Sequence, residues 1–292
     1  MTNKRRSESR GRYVVTVIIL IFLIIIGILY YDSNTRLVTT EYTLYYENLP
    51  DTFDGYRIVS LADIHATEHG ENNIRLIDAV SAANPDIIAI TGDLIDRYQA
   101  GKPVERQLEI AQDLVEQLVP IAPVYFITGN HEWDSGKIRP LLEMLKDSGV
   151  DVLQNQYRRL EIGGDSIILA GVEDPNGPAD MIKPDEFIES IRQNENGDFI
   201  VVLYHRNYSL SLFSRVGVDL ILSGHSHGGM VRFPFTDGLI GPNNEFFPTY
   251  TSGVYTMRET NMVVSRGAGN HMGWTRFLNN PEVVVVELRV ES

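Results

Sequence analysis

Residues 218–228 read Val218-Asp219-Leu220-Ile221-Leu222-Ser223-Gly224-His225-Ser226-His227-Gly228, a short apolar run that ends in two histidines set between glycines. The same arrangement recurs upstream. Tyr56 to Ala62 leads into Asp63-Ile64-His65, and Ile87 to Thr91 leads into Gly92-Asp93. Val124 to Thr128 leads into Gly129-Asn130-His131-Glu132, and Ile200 to Tyr204 leads into His205. Apolar runs of this length, bounded by glycine, read as buried strands. Five strands that each deliver a carboxylate, amide or imidazole at the same end predict one polynuclear metal site at the carboxyl edge of a sheet.

The segments between these runs have the periodicity of helices. Val104 to Leu118 places Leu108, Ala111, Leu114, Val115 and Leu118 on one face. Asn72 to Ala83 does so with Ile74, Ile77 and Val80, and a further helix is expected around Pro140 to Asp147. This alternation predicts right-handed crossovers and a parallel-rich sheet. The second half differs: Tyr157 to Ile162 and Ser166 to Gly171 predict a hairpin about Gly163-Gly164-Asp165. Short helices are expected over 184–192 and 210–215, and strands over 199–203, 219–222, 253–257, 261–265 and 283–290. With an edge strand near Glu41 to Glu47, the fold class is α/β, two packed sheets flanked by helices. Pro234 to Tyr250 is the one long irregular stretch. It is expected at the rim of the site, with Phe246 and Phe247 exposed.

Before all this, Met1 to Arg12 carries Lys4, Arg5, Arg6, Arg10 and Arg12 against Glu8 alone, and Tyr13 to Tyr31 has no charged residue. The second run is long enough to cross a hydrocarbon layer as a helix, with Tyr13, Tyr30 and Tyr31 at its interfaces. No small-x-small cleavage pattern follows Tyr31, which favours an uncleaved anchor over a signal peptide. The expected organisation is a basic cytoplasmic tail (1–12), a transmembrane anchor (13–31), a linker and first strand (32–52) and a catalytic domain (53–292). Basic residues on the short side orient the N-terminus inward, so the domain is expected outside the cell membrane on a single-pass anchor. Formal net charge is −14; setting aside the tail, which carries +4, leaves about −18 on the remainder, which argues against nucleic acid as a partner. The absence of cysteine excludes disulfides and thiolate metal sites.

Attack on a phosphoester needs hydroxide at neutral pH and neutralised phosphoryl oxygens, and two divalent ions supply both. The candidate ligands are Asp63, His65, Asp93, Asn130, His205, His225 and His227. Residues two apart in an extended segment share a side, so Asp63 with His65, and His225 with His227, can point into one cavity. Glycine before Asp93, Asn130 and His225 permits sharp turns there. Oxygen and nitrogen donors without sulfur suit manganese, iron or zinc. Five of the seven histidines fall in these motifs, whereas His69 and His271 read as structural or surface residues. Asp96 reads equally as a helix cap or as a support to a ligand.

The ordered set Asp63-x-His65, Gly92-Asp93-Leu94-x-Asp96, Gly129-Asn130-His131-Glu132, His205 and Gly224-His225-Ser226-His227 resembles the calcineurin-like metallophosphoesterase superfamily, over about Tyr56 to Leu288. Within it the chain is most similar to small membrane-associated or exported bacterial phosphoesterases of the YkuE and YaeI type. The resemblance implies a four-layer α-β-β-α sandwich with two divalent ions (Mn2+, Fe2+ or Zn2+, manganese favoured) at one sheet edge. Asp63, His65 and His227 would hold one ion, Asn130, His205 and His225 the other, and Asp93 would bridge them. His131 would protonate the leaving oxygen, oriented by Glu132 or by Asp63, with Glu132 preferred. Arg206, Arg266 and Arg276 could contact phosphate, and His271 and Trp274 could form a substrate wall.

The expected activity is a hydrolase acting on ester bonds: hydrolysis of a phosphodiester or phosphomonoester, with a lipid-linked or cell-envelope substrate suggested by the anchor. No obligate protein partner is inferred. The alternatives are a protein or small-molecule phosphomonoesterase, and an envelope-binding protein with an inactive site.

Overall fold

A computed structural model of the chain describes residues 2–98, 101–195, 198–242, 245–270 and 276–291. The first half runs α1 (Thr2–Thr35), β1 (Val38–Tyr46), β2 (Arg57–Leu61), α2 (Ile74–Ala82), β3 (Ile87–Thr91), α3 (Val104–Leu118), β4 (Val124–Ile127), α4 (Asn130–Asp134), α5 (Ile138–Asp147) and β5 (Asp151–Val152). The second half runs β6 (Gln156–Ile162), β7 (Asp165–Gly171), α6 (Pro184–Asn194), β8 (Phe199–Leu203), α7 (Leu210–Arg215), β9 (Leu220–Ser223), β10 (Gly253–Met257), β11 (Thr260–Val264) and β12 (Glu282–Val290). Helix α2 starts two residues later than its periodicity suggests, because Asn72 and Asn73 have positive φ. The five residues of α4 are too few to leave a periodic signal in the sequence.

The strands form two six-stranded mixed sheets, in the orders β1-β12-β2-β3-β4-β5 and β10-β11-β9-β8-β7-β6. Three apolar cores separate four layers. Helices α2, α3 and α5 cover the outer face of the first sheet through Val59, Ile88, Ile90, Leu114 and Leu145. The facing sides of the sheets meet through Ile58, Ala89, Val201, Leu222 and Val284. Helices α6 and α7 cover the second sheet through Ile188, Phe213, Ile200 and Ile221. Successive side chains of a strand point to opposite faces. Val283 and Val285 therefore enter the outer core while Val284 and Val286 enter the central one. This explains the uninterrupted Val283–Val286 run, since a strand covered on both faces has no reason to alternate.

Helix α1 contains a 25-residue segment, Gly11–Thr35, long and apolar enough to cross a bilayer, and its apolar stretch is left uncovered by the rest of the chain. Only Arg36 and Leu37 separate the helix from β1. Its last turn is tied to the domain. Ser33 Oγ accepts the Leu278 N–H at 2.8 Å, Asn34 Nδ2 donates to Arg276 O at 2.8 Å, and Asn280 Nδ2 donates to Asp32 O at 2.8 Å.

Candidate metal centre

Parallel strands share a carboxyl edge, and each sheet contributes part of one cluster there. Asp63 and His65 follow β2, Asp93 follows β3, and Asn130 and His131 open α4 just after β4. His205 follows β8, and His225 and His227 follow β9. All eight residues are buried. The backbone reaches this arrangement differently from the expected extended geometry. Asp63, His65, Asp93, His225 and His227 all have positive φ, between 48° and 69°. Left-handed turns, to which aspartate and histidine are better suited than most residues, aim these side chains inward.

The expected role of the glycines also needs correction at two of three positions. Gly92 does adopt positive φ, at +89°. Gly129 and Gly224 do not, and what they provide is space. A Cβ on Gly129 would run into the Asp93 carboxylate, and one on Gly224 would lie 2.5 Å from Asp63 Oδ2 and 2.6 Å from Ala62 Cβ.

Two groups of side chains are arranged to hold cations: Asp63, His65 and His227, and Asp93, His205 and His225. In the first, His65 Nε2 and His227 Nε2 are 3.2 Å apart and His227 Nε2 is 3.6 Å from Asp63 Oδ1. In the second, His205 Nε2 is 3.2 Å from Asp93 Oδ2. The same Asp93 oxygen lies 4.0 Å from His65 Nε2 and 3.9 Å from His131 Nε2, so this carboxylate stands between the two groups. A third triad, His65, Asp96 and His131, adjoins the first.

The donor set fits a pair of divalent ions on two further observations. His205 Nδ1 lies 2.9 Å from the Thr91 carbonyl and donates to it, which leaves Nε2, 3.2 Å from Asp93 Oδ2, to carry a second proton in the metal-free site or to bind a cation in its place. Asn130 Oδ1 is buried with no hydrogen-bond partner, a costly position for an amide oxygen unless a cation takes it.

A family model described as calcineurin-like phosphoesterase matches residues 56–229. The chain belongs to that family. It is a metal-dependent phosphoesterase, its clustered histidines and aspartates forming a dinuclear-type site. Among its relatives, the metallophosphoesterase YkuE of Bacillus subtilis is 28% identical over 260 residues, covering 86% of this chain and 85% of that protein. A transmembrane protein with a metallophosphoesterase domain from Danio rerio is 29% identical over 295 residues. That match spans 97% of this chain but 64% of the fish protein. Among solved structures, the sulfate thiohydrolase SoxB of Thermus thermophilus superposes with a TM-score of 0.51 at 15% identity, over 82% of this chain and 57% of that one. This last likeness is one of fold.

The phosphoesterase site orients His131 in a way the sequence did not disclose. Asp96 Oδ1, fully buried, lies 2.8 Å from His131 Nδ1, and Gln107 Oε1 fixes the Asp96 backbone N–H at 2.6 Å. Glu132, the expected partner, instead accepts backbone N–H groups of Asp93 at 2.9 Å, Ile95 at 3.2 Å and Gly129 at 2.6 Å. Asp63, the other option, accepts the His225 N–H at 2.9 Å. Glu132 thus ties the β3 and β4 loops together, and Asp96 faces the imidazole. The spacing of Asp93 and Asp96 was the available signal.

Electrostatics in the cluster are strongly opposed. Burial pushes the Asp63 carboxyl up to about 6, with the Asp93 charge adding to it. Burial likewise pushes Glu132 up to about 7. For Asp93 burial acts upward too, but the imidazoles of His205, His131 and His65 hold it well below the usual carboxylate range. His225 is held well below the usual imidazole value by burial, His205 and Arg206.

A cleft of about 230 Å³ opens over the cluster, lined by Asp93, Asn130, His131, His225 and His227 together with Arg97, Asp134, Asn176, Arg206, Met230 and Pro242. Arg206 is held by Asp174, with Nε 2.6 Å from Oδ2 and Nη2 2.9 Å from Oδ1, and its Nη1 is 3.0 Å from His225 Nε2. The other two expected phosphate contacts are structural. Arg276 is fully buried and donates to Asn270 Oδ1 and to the carbonyls of Arg266 and Gly269, each at 2.7 Å. Arg266 pairs with Glu282 at 2.6 Å. Arg97 and Asn176 were not singled out in the sequence. Pro242 brings the 234–250 stretch to the cleft as expected, whereas His271 and Trp274 lie outside the described residues.

Proposed function

We propose that the protein hydrolyses a phosphodiester or phosphomonoester carried at the membrane surface, the reading that the shared Asp93 between two ligand groups supports best. Asp63, His65 and His227 would hold one divalent ion, Asn130, His205 and His225 the other, and Asp93 would join them, with manganese the ion to test first. When bound, the ion pair acidifies a water and neutralises charge on the phosphoryl oxygens. Arg206 and Asn176 line the cleft where those oxygens would lie. His131, oriented through Asp96, donates a proton from Nε2 to the departing oxygen, a task suited to imidazole near neutral pH.

The substrate reading rests on the anchor. The basic tail supports an N-terminus in the cytoplasm and a catalytic domain, from about residue 53, outside it. With two residues between α1 and β1, the site stays against the bilayer, where lipid-linked phosphoesters are concentrated. The similarity to YkuE, and to a transmembrane protein with a metallophosphoesterase domain, supports grouping the chain with membrane-associated phosphoesterases of the YkuE type. The test is hydrolysis of bis-p-nitrophenyl phosphate, p-nitrophenyl phosphate and a lipid phosphodiester by the full-length protein in bilayer discs, after metal removal and after addition of manganese, zinc or iron. Turnover restored only by metal, and highest on the lipid, is expected. Activity confined to soluble monoesters would overturn the substrate assignment.

A further inference from the structure

Four phenylalanines are left in solvent on one strip beside the cleft. Phe235 is fully exposed, Phe246 and Phe247 are 76% and 73% exposed, and Phe233 is 48% exposed. Isolated exposed apolar residues need no explanation, but four aromatic rings on adjoining backbone do. Hydrogen bonds make this backbone a continuous narrow ladder. Phe277 N donates to Met230 O at 3.2 Å, and Arg232 N donates to Phe277 O at 2.9 Å. Leu239 N donates to Val231 O at 2.9 Å, and Phe247 N donates to Leu239 O at 3.0 Å.

The near edge of that ladder is the foot of the transmembrane helix. Leu278, next to Phe277, donates to Ser33 Oγ, and Asn34 is hydrogen-bonded to Arg276 in both directions. Neighbouring strands lie about 4.8 Å apart, so Phe247 stands roughly three such spacings from the helix foot. Tyr30 and Tyr31 mark where α1 leaves the apolar layer, one turn before that foot. A ladder that runs from this foot along the bilayer surface would keep the aromatic strip at the water–lipid boundary.

We infer that Phe233, Phe235, Phe246 and Phe247 form an interfacial contact that seats the catalytic domain on the bilayer its own helix crosses, with the mouth of the cleft beside the lipid surface. The inference rests on α1 spanning the membrane. The occupant is lipid because the strip continues from a helix already in it, and aromatic side chains favour the boundary. Of the charged side chains on this backbone, Arg232 is turned inward to Gly228 O at 3.0 Å and Ser252 Oγ at 2.9 Å, whereas the carboxylates Asp237 and Glu245 are exposed, so the contact combines aromatic rings with acidic groups facing the headgroup layer. Met230 and Pro242 belong to the same stretch and line the cleft. Seating the strip thus fixes the distance from the metal centre to the surface.

The chain has no cysteine, so single positions can be labelled without background. Phe235→Cys and Phe246→Cys, with Ile162→Cys on the β6–β7 hairpin at the far edge of the second sheet as control, would each carry an environment-sensitive fluorophore in the full-length protein. The proteins would be placed in phosphatidylcholine bilayer discs containing lipids with a nitroxide high on the acyl chain. Labels at 235 and 246 should shift to the blue and lose most of their emission, while the label at 162 should do neither. Labels at 235 and 246 that behave like the one at 162 overturn the inference, and lysate proteins binding the strip in that case would point to a macromolecular partner instead. The readout is contact with lipid and not turnover, so it stands or falls separately from the substrate assignment.

Discussion

Replacing Asp96 with asparagine separates the orientation of His131 from the holding of metal. Asp96 Oδ1 lies 2.8 Å from His131 Nδ1 and also accepts the Tyr98 N–H at 3.2 Å. Asparagine keeps the shape and a carbonyl acceptor, but removes the charge that favours a protonated ring. A hydrogen bond to a charged partner contributes about 1.5–3 kcal/mol, and each ~1.4 kcal/mol of barrier is tenfold in rate. Turnover should accordingly fall about 10- to 150-fold. The loss should depend on the leaving group. Phenolate needs protonation as it departs and should show the full loss, whereas p-nitrophenolate leaves unassisted and should show little. The assay compares kcat for phenyl and p-nitrophenyl phosphodiesters in the parent protein and Asp96→Asn, with bound metal measured on the same preparations. Equal losses on both substrates with metal retained would refute the assignment of His131 as proton donor through Asp96. Loss of metal would place Asp96 among the groups that hold the ions.

Gly224→Ala should lower stability and bound metal together, because the new methyl meets Asp63 Oδ2 at 2.5 Å and Ala62 Cβ at 2.6 Å. Overpacking of this kind costs about 1–3 kcal/mol, and thermal melts with metal analysis would detect it; an unchanged melting temperature and metal content would contradict it. His69, buried with Nε2 2.5 Å from Ala268 O, is held below its usual imidazole value by burial. Its depressed folded-state value means that the unfolded chain takes up the proton first. Its contribution is therefore present above the unfolded value of about 6.5 and lost as pH falls below it. The melting temperature of the parent protein should fall more steeply between neutral and mildly acid pH than that of His69→Gln, and parallel pH dependences would show that His69 adds nothing.

Much of the fold could be read from local pattern. Val104–Leu118 is a helix because its apolar residues recur at helical spacing, and Phe199–Leu203 is a central strand because both its faces are covered. Boundaries shifted where single residues left the regular conformations, as at Asn72 and Asn73. The ligand candidates were visible because each lies just past an apolar run. Their supports were harder to see. Asp96 reaches His131 across 35 positions, and Glu132 binds N–H groups of the β3 loop 37 and 39 positions away. The Asp93-x-x-Asp96 spacing marked Asp96 as a candidate support, but no local pattern encodes which partner Asp96 or Glu132 meets. Arg266 and Arg276 shared the charge and the neighbourhood of Arg206, and only burial and their partners distinguish them.

By itself the sequence determined the α/β class, the apolar N-terminal helix and the chemical identity of the cluster, since periodicity and residue type act over a few positions. Tertiary structure alone decided that Asp93 stands between two groups of ligands, and that Gly129 and Gly224 are small to make room for carboxylates. It also set the foot of α1 directly against the segment bearing Phe277. These outcomes depend on distances between residues far apart in the chain, which exist only once the two sheets have packed face to face.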